Sequence, residues 1–150
     1  MLLYFSVLFS HVLYALVWVD TSFVNNDIRQ LICLATIAKM IQLVLLSGLI
    51  INYTPSMFLL GPKLSIGICG QILNTSVYYK LGKVGVYYGN LFGYKIPRCT
   101  TFPFDMINHP QYTGCIMTLV SIALIYPYIE VIAFCSFWSS LYIITSAIES

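Results

Sequence analysis

Long stretches without a single charge constrain this chain more than any other feature. The opening run, MLLYFSVLFSHVLYALVWV, carries none before Asp20, and the next, Leu31 to Ile51, is broken only by Lys39. About 20 helical residues cross the hydrocarbon core of a bilayer, so runs of roughly 18 or more nearly uncharged residues mark candidate spans. A water-soluble domain carries about 25% charged residues. Here 8% are charged and 59% are hydrophobic, too few polar groups to cover a surface in water. The expected fold is all-α, a polytopic membrane bundle of four or five spans forming a single domain over residues 1–150. The first run lacks the basic start and small-residue cleavage site of a signal peptide, so it is expected to be a retained span.

A third run, LSIGICGQILNTSVYY (64–79), is uncharged but rich in small and polar residues. Positions facing lipid gain nothing from such side chains, whereas helix interfaces and cavities use them. This helix is therefore expected to face protein or ligand. Between the second and third runs, NYTPSMFLLGPK reads as a turn, and residues 80–113 form the longest polar segment. From Gly114 to Ile148 only Glu130 is charged. A straight helix over that distance would reach about 52 Å, well beyond a core of roughly 30 Å. Pro127 in YPYIE (126–130) can end one helix before the next begins, so two short antiparallel helices are expected. That hairpin returns Glu149 to the face holding Arg29, Lys80, Lys83, Lys95 and Arg98, against Lys63 alone on the other. The excess of basic residues predicts that this face is cytosolic.

The polar segment ends in TTFPFDMINHPQYTG (100–114). Pro110 suits the first position of a helix, with Asn108 or His109 near the cap. Unpaired N–H groups there could hold a carboxylate or phosphate, and Arg98, with Lys95 nearby, suits phosphate binding. The same residues also serve an ordinary capped loop. Phe102-Pro103-Phe104 could wall a ligand or anchor the loop at the interface, and Tyr4, Tyr14, Trp18 and Trp138 read as interfacial anchors. Lys39 is either an intramembrane functional charge or a snorkelling lysine. His11 reads as a packed helix residue, Glu130 as a solvated one, and Asp105 as a loop cap or base. The five cysteines (33, 69, 99, 115 and 135) contain no CxxC pair, and with only His11 and His109 as histidines no metal centre is expected. No nucleic-acid partner is expected either.

The order GKVGVYYGNLFGY, then RCTTFPFDMINHPQYTG, then an apolar hairpin ending in an acid resembles the phospholipid N-methyltransferases, specifically from about Gly67 to Glu149. The resemblance implies S-adenosylmethionine as methyl donor and phosphatidylethanolamine, with its mono- and dimethyl forms preferred, as acceptor on the way to phosphatidylcholine. It also implies an endoplasmic reticulum membrane with the catalytic face cytosolic. Two elements of the family bind the donor. A Gly-x-Gly in the third helix falls at Ile68, Cys69 and Gly70, of which only the second glycine is present. An acidic pair after the last helix falls at Glu149 and Ser150, the second position holding serine. The His-Pro-x-Tyr-x-Gly segment, shared with the isoprenylcysteine carboxyl methyltransferases, implies donor contacts for His109, Tyr112 and Gly114. Arg98 is the candidate for the lipid phosphate. No catalytic base is assigned. Two alternatives remain open from sequence: an isoprenylcysteine carboxyl methyltransferase, or a degenerate relative that binds lipid.

Overall fold

The computed structural model describes residues 1–149; Ser150 lies outside the described residues. Five helices account for most of it: α1 (Leu2–Val19), α2 (Ile28–Ile50), α3 (Leu60–Val86), α4 (Pro110–Ile125) and α5 (Ile129–Ile148). No strand occurs among the described residues. Helices α1, α2 and α5 are long and apolar enough to cross a membrane, and α4 is a shorter apolar helix. The chain is a polytopic helical membrane protein, as its uncharged runs require.

The helices run alternately up and down. At one end, here the turn face, Ser56 donates its backbone N–H to Ile125 O at 2.7 Å, and Tyr53 stacks on Tyr128 at 4.2 Å. At the other, the loop face, Trp18 meets Tyr88 edge-on and Tyr88 reaches Glu149. The break between α4 and α5 falls at residues 126–128, where the sequence places it. Helix α4 opens with Pro110 at its first position and His109 as its cap residue, with no side-chain cap bond.

Helix α3 departs from expectation at both ends. It begins at Leu60, inside the segment read as a turn, because Pro62 occupies its first turn, where N–H groups have no helical acceptor to lose. It also continues past Tyr79 to Val86, so Lys80 and Lys83 are helical rather than loop residues. Near that end Gly82 adopts φ 64 and ψ 177, a conformation essentially confined to glycine, which breaks the helix axis before the loop.

Polar groups join the helices where lipid offers no other partner. Gln42 of α2, fully buried, donates to Ser6 O at 3.1 Å and Ser10 Oγ at 2.8 Å on α1. Such interhelical bonds contribute about 0.6–2 kcal/mol in membranes. The apolar core gathers Val7, Leu46, Leu119, Val131, Phe134 and Trp138 from four helices. Helices α3 and α4 pack most intimately. A methyl on Gly70 would sit 2.5 Å from Gly114 O, and one on Gly114 would sit 2.5 Å from Gly70 O. Small residues here let the two backbones touch.

Candidate functional site

Three segments remote in sequence converge at the loop face. Tyr112 stands in the first turn of α4, Glu149 follows the last residue of α5, and Tyr88 lies just beyond α3. The Tyr112 hydroxyl is 2.7 and 2.6 Å from the two Glu149 carboxylate oxygens, and Tyr88 donates to Oε1. The two hydroxyls are 3.3 Å apart. Tyr88 holds φ 57, a left-handed conformation that is strained for a bulky residue, which indicates a position fixed by its surroundings. Burial, followed by the neighbouring Tyr112 and Glu149, raises its hydroxyl well above the ordinary tyrosine range. It therefore stays protonated and able to donate. His109 stacks on Tyr112, centroids 6.0 Å apart and planes at 19°.

Beneath these residues lies a cavity of about 460 Å³. Its upper wall is aromatic (Tyr14, Tyr78, Tyr87, Tyr88 and Tyr112), and its lower wall holds His11, Lys39, Trp138 and Tyr142. Lys39 donates to Tyr142 Oη at 2.9 Å and lies 4.9 Å from the centroid of the Trp138 ring. It lies about 16 Å along α2 from its start, at roughly 1.5 Å per residue, and points inward rather than snorkelling. Trp138, read from sequence as an interfacial anchor, is instead buried, because α5 turns that face toward α1 and α2. Tyr14 likewise lines the cavity instead of the interface.

Two cavity-lining groups retain unused polar atoms. The Trp138 Nε1 donor and His11 Nε2 are buried without a partner. His11 Nδ1 lies 3.0 Å from Val7 O, a carbonyl that can only accept, so Nδ1 carries the proton and Nε2 is an acceptor. His11 is thus packed, as expected, but with a free lone pair in the cavity wall.

Of the sequence candidates, the structure brings Tyr112, His109 and Glu149 together. Gly70 and Gly114 lie at the α3–α4 crossing, where they set helix spacing. Cys69 is exposed on the outer side of α3, and Ile68 is 59% exposed. Arg98 and Asp105 are exposed in the loop before α4. Among the described residues no three of His, Cys, Asp and Glu come together as a metal site. Tyr88 and Tyr142 are additions that spacing alone did not assemble, and Lys39, left open from sequence, stands in the cavity wall.

A carboxylate held by neutral hydroxyls above aromatic faces is suited to a cation, which such faces attract by about 0.5–2 kcal/mol each. The lysine at the far end suits an anionic group. Fold and site together define a helical membrane protein with a polar, aromatic pocket open to one face.

The profile of the phospholipid methyltransferase family matches residues 58–150, and the chain belongs to that family. It is 42% identical over 81 residues to phosphatidyl-N-methylethanolamine N-methyltransferase of Arabidopsis thaliana, covering 54% of this chain and 47% of that protein. To the Saccharomyces cerevisiae protein of the same name it is 45% identical over 56 residues, 37% of this chain and 27% of that one. To human phosphatidylethanolamine N-methyltransferase it is 39% identical over 62 residues, 41% of this chain and 30% of that one. The chain spans less than half the length of these curated relatives. No solved structure matches it.

Proposed function

We propose that this chain is an S-adenosylmethionine-dependent methyltransferase, one membrane-embedded domain acting on phosphatidylethanolamine and preferring its mono- and dimethyl forms, toward phosphatidylcholine. Its site would open at the cytosolic face of the endoplasmic reticulum membrane, the face richer in lysine and arginine. The observation that carries the reading is the Glu149 carboxylate, fixed by Tyr88 and Tyr112, which themselves line an aromatic cavity.

The residues present fit such a donor, which supplies an electrophilic methyl on a sulfonium. A pocket of about 460 Å³ is of ligand size. Glu149 would hold the donor's ammonium or ribose hydroxyls, His109 and Tyr112 would form a flat wall, and the N-terminus of α4 or Lys39 would take a carboxylate or phosphate. Arg98, exposed in the loop, would draw lipid phosphates to this face. Gly70 and Gly114 would act on the donor by keeping α3 and α4 close enough to shape the pocket, with Cys69 on the same turn.

No protein nucleophile is needed, because the acceptor amine attacks directly in line with the departing thioether. Holding the two in line can supply about 7–11 kcal/mol. The amine must first lose a proton, and His11 Nε2 is the buried acceptor without a partner in the cavity wall. Tyr14, Tyr88 and Tyr112 give the site an aromatic lining of low dielectric, in which Glu149 would attract a cation more strongly than in water.

The test uses membranes containing the chain, methyl-labelled S-adenosylmethionine and phosphatidylmonomethylethanolamine. Label in dimethyl lipid and phosphatidylcholine is the expected outcome. Label only in a farnesyl-cysteine acceptor would assign the chain to carboxyl methylation. No label in either acceptor, with the protein folded and donor binding also absent, would overturn the reading in favour of a degenerate lipid-binding relative.

A further inference from the structure

A second cavity, about 740 Å³, lies on the outer side of the α3–α4 pair. Its α3 wall is one helical stripe, Leu64, Ile68, Ile72 and Tyr79, ending at Lys80. Ile68, Ile72 and Tyr79 are 59%, 52% and 87% exposed, so the groove opens sideways toward the bilayer. From Leu64 to Lys80 it runs about 24 Å at roughly 1.5 Å per residue, most of a hydrocarbon core of roughly 30 Å. Its long axis is therefore that of a lipid tail.

The inner and outer cavities share Gln71, Thr75, Thr118 and Ile122 as lining residues. One layer of side chains separates them, and Gln71 Nε2 closes it by donating to Thr118 Oγ1 at 2.8 Å. That bond joins α3 to α4, and Thr75 adds a further polar group to the shared wall. At the loop-face end the groove meets a cation: Lys80 Nζ lies 3.1 Å from Thr101 Oγ1, with Phe102 alongside. A lysine at head-group depth complements a lipid phosphate.

We propose that this groove docks one bilayer phospholipid, its tail along the outer side of the α3–α4 pair and its phosphate at Lys80. The amine end turns inward past Thr75, the shared lining residue nearest Lys80, to reach the inner cavity on the loop-face side of the Gln71–Thr118 contact. The groove explains why polar residues interrupt the lipid side of α3 and why Lys80 stands at the end of its apolar stripe. The passage rests on the inner cavity being the site of methyl transfer.

The experiment reconstitutes the whole chain in liposomes containing phosphatidylmonomethylethanolamine and a phospholipid with a photoreactive tail. Adducts are mapped by peptide, and lipid methylation and donor binding are measured for the parent, Lys80→Gln and Thr75→Trp. Adducts should concentrate on residues 64–80 and 118–125 rather than on exposed positions of α2 and α5 such as Val44 and Ile143. Lys80→Gln should raise the lipid KM about tenfold with kcat unchanged and donor binding within about twofold of the parent, and Thr75→Trp should lower kcat/KM about a hundredfold. Adducts spread evenly over the exposed helices, or both variants methylating bilayer lipid like the parent, would overturn the proposal. If Thr75→Trp fails to fold, the adduct map and Lys80→Gln decide. Adducts confined to the groove in a chain that methylates no lipid would keep the docking site and remove the methyl-transfer reading.

Discussion

Glu149, Tyr88 and Tyr112 form the cluster on which the site depends, and each contributes differently. The carboxylate accepts from both hydroxyls, so removing either leaves it less firmly placed, while removing the charge deletes the cation site. Hydrogen bonds to charged groups are worth about 1.5–3 kcal/mol. Tyr88→Phe is therefore expected to weaken donor binding about tenfold, read by equilibrium binding of labelled donor, and Glu149→Gln to weaken it by about a hundredfold or more. Because the two tyrosines share one acceptor, the double variant Tyr88→Phe with Tyr112→Phe should lose less than the sum of the single losses. Glu149 and Tyr112 were reached from sequence through family motifs. Tyr88 was not, because its role depends on a left-handed backbone at one end of α3 meeting the end of α5, which no local spacing encodes. The apolar run around His11 predicts a packed residue, and its unpaired nitrogen depends on Val7 O engaging the other.

Helix α3 faces protein and cavity, as its small and polar residues require. Those residues predict a helix facing protein or ligand, and it does pack closely on α4. Yet the same helix lines cavities on two sides and carries Cys69 outward on a third. Gly70→Ala or Gly114→Ala would place a methyl against a facing carbonyl with no flexible side chain to give way. Each is expected to destabilise the bundle by about 1–3 kcal/mol, with loss of activity following from helix separation. Thermal unfolding in detergent measures this. Gly48→Ala in α2 is the control. Nothing lies within 4 Å of the added methyl there, so a change of the opposite sign, about 0.5–1 kcal/mol stabilising, is expected. A similar loss at both sites would mean that close packing of α3 on α4 is not what the glycines provide.

At the scale of the whole molecule, the uncharged runs determined that the chain crosses a membrane as helices, since lipid satisfies no exposed backbone group. Pro127 determined the α4–α5 hairpin, and the alternation of helices then placed Glu149 on the face rich in basic residues. A membrane-impermeant maleimide applied from the cytosolic side should label Cys99, and from the opposite side a cysteine introduced at Met57. Labelling of both from one side would overturn this topology. All of this was legible because hydrophobic run length and helix breaks act locally. What only the tertiary structure decided is which side chains meet. Trp138 and Tyr14 turn inward instead of anchoring the interface, Lys39 bonds to Tyr142 instead of snorkelling, and Gln71 with Thr118 divides an inner cavity from an outer groove. The physical reason is that a lipid-embedded helix is apolar on nearly every side. Hydrophobic pattern cannot say which face packs inward, and that rotation is set by glycine contacts and by buried polar groups finding one another.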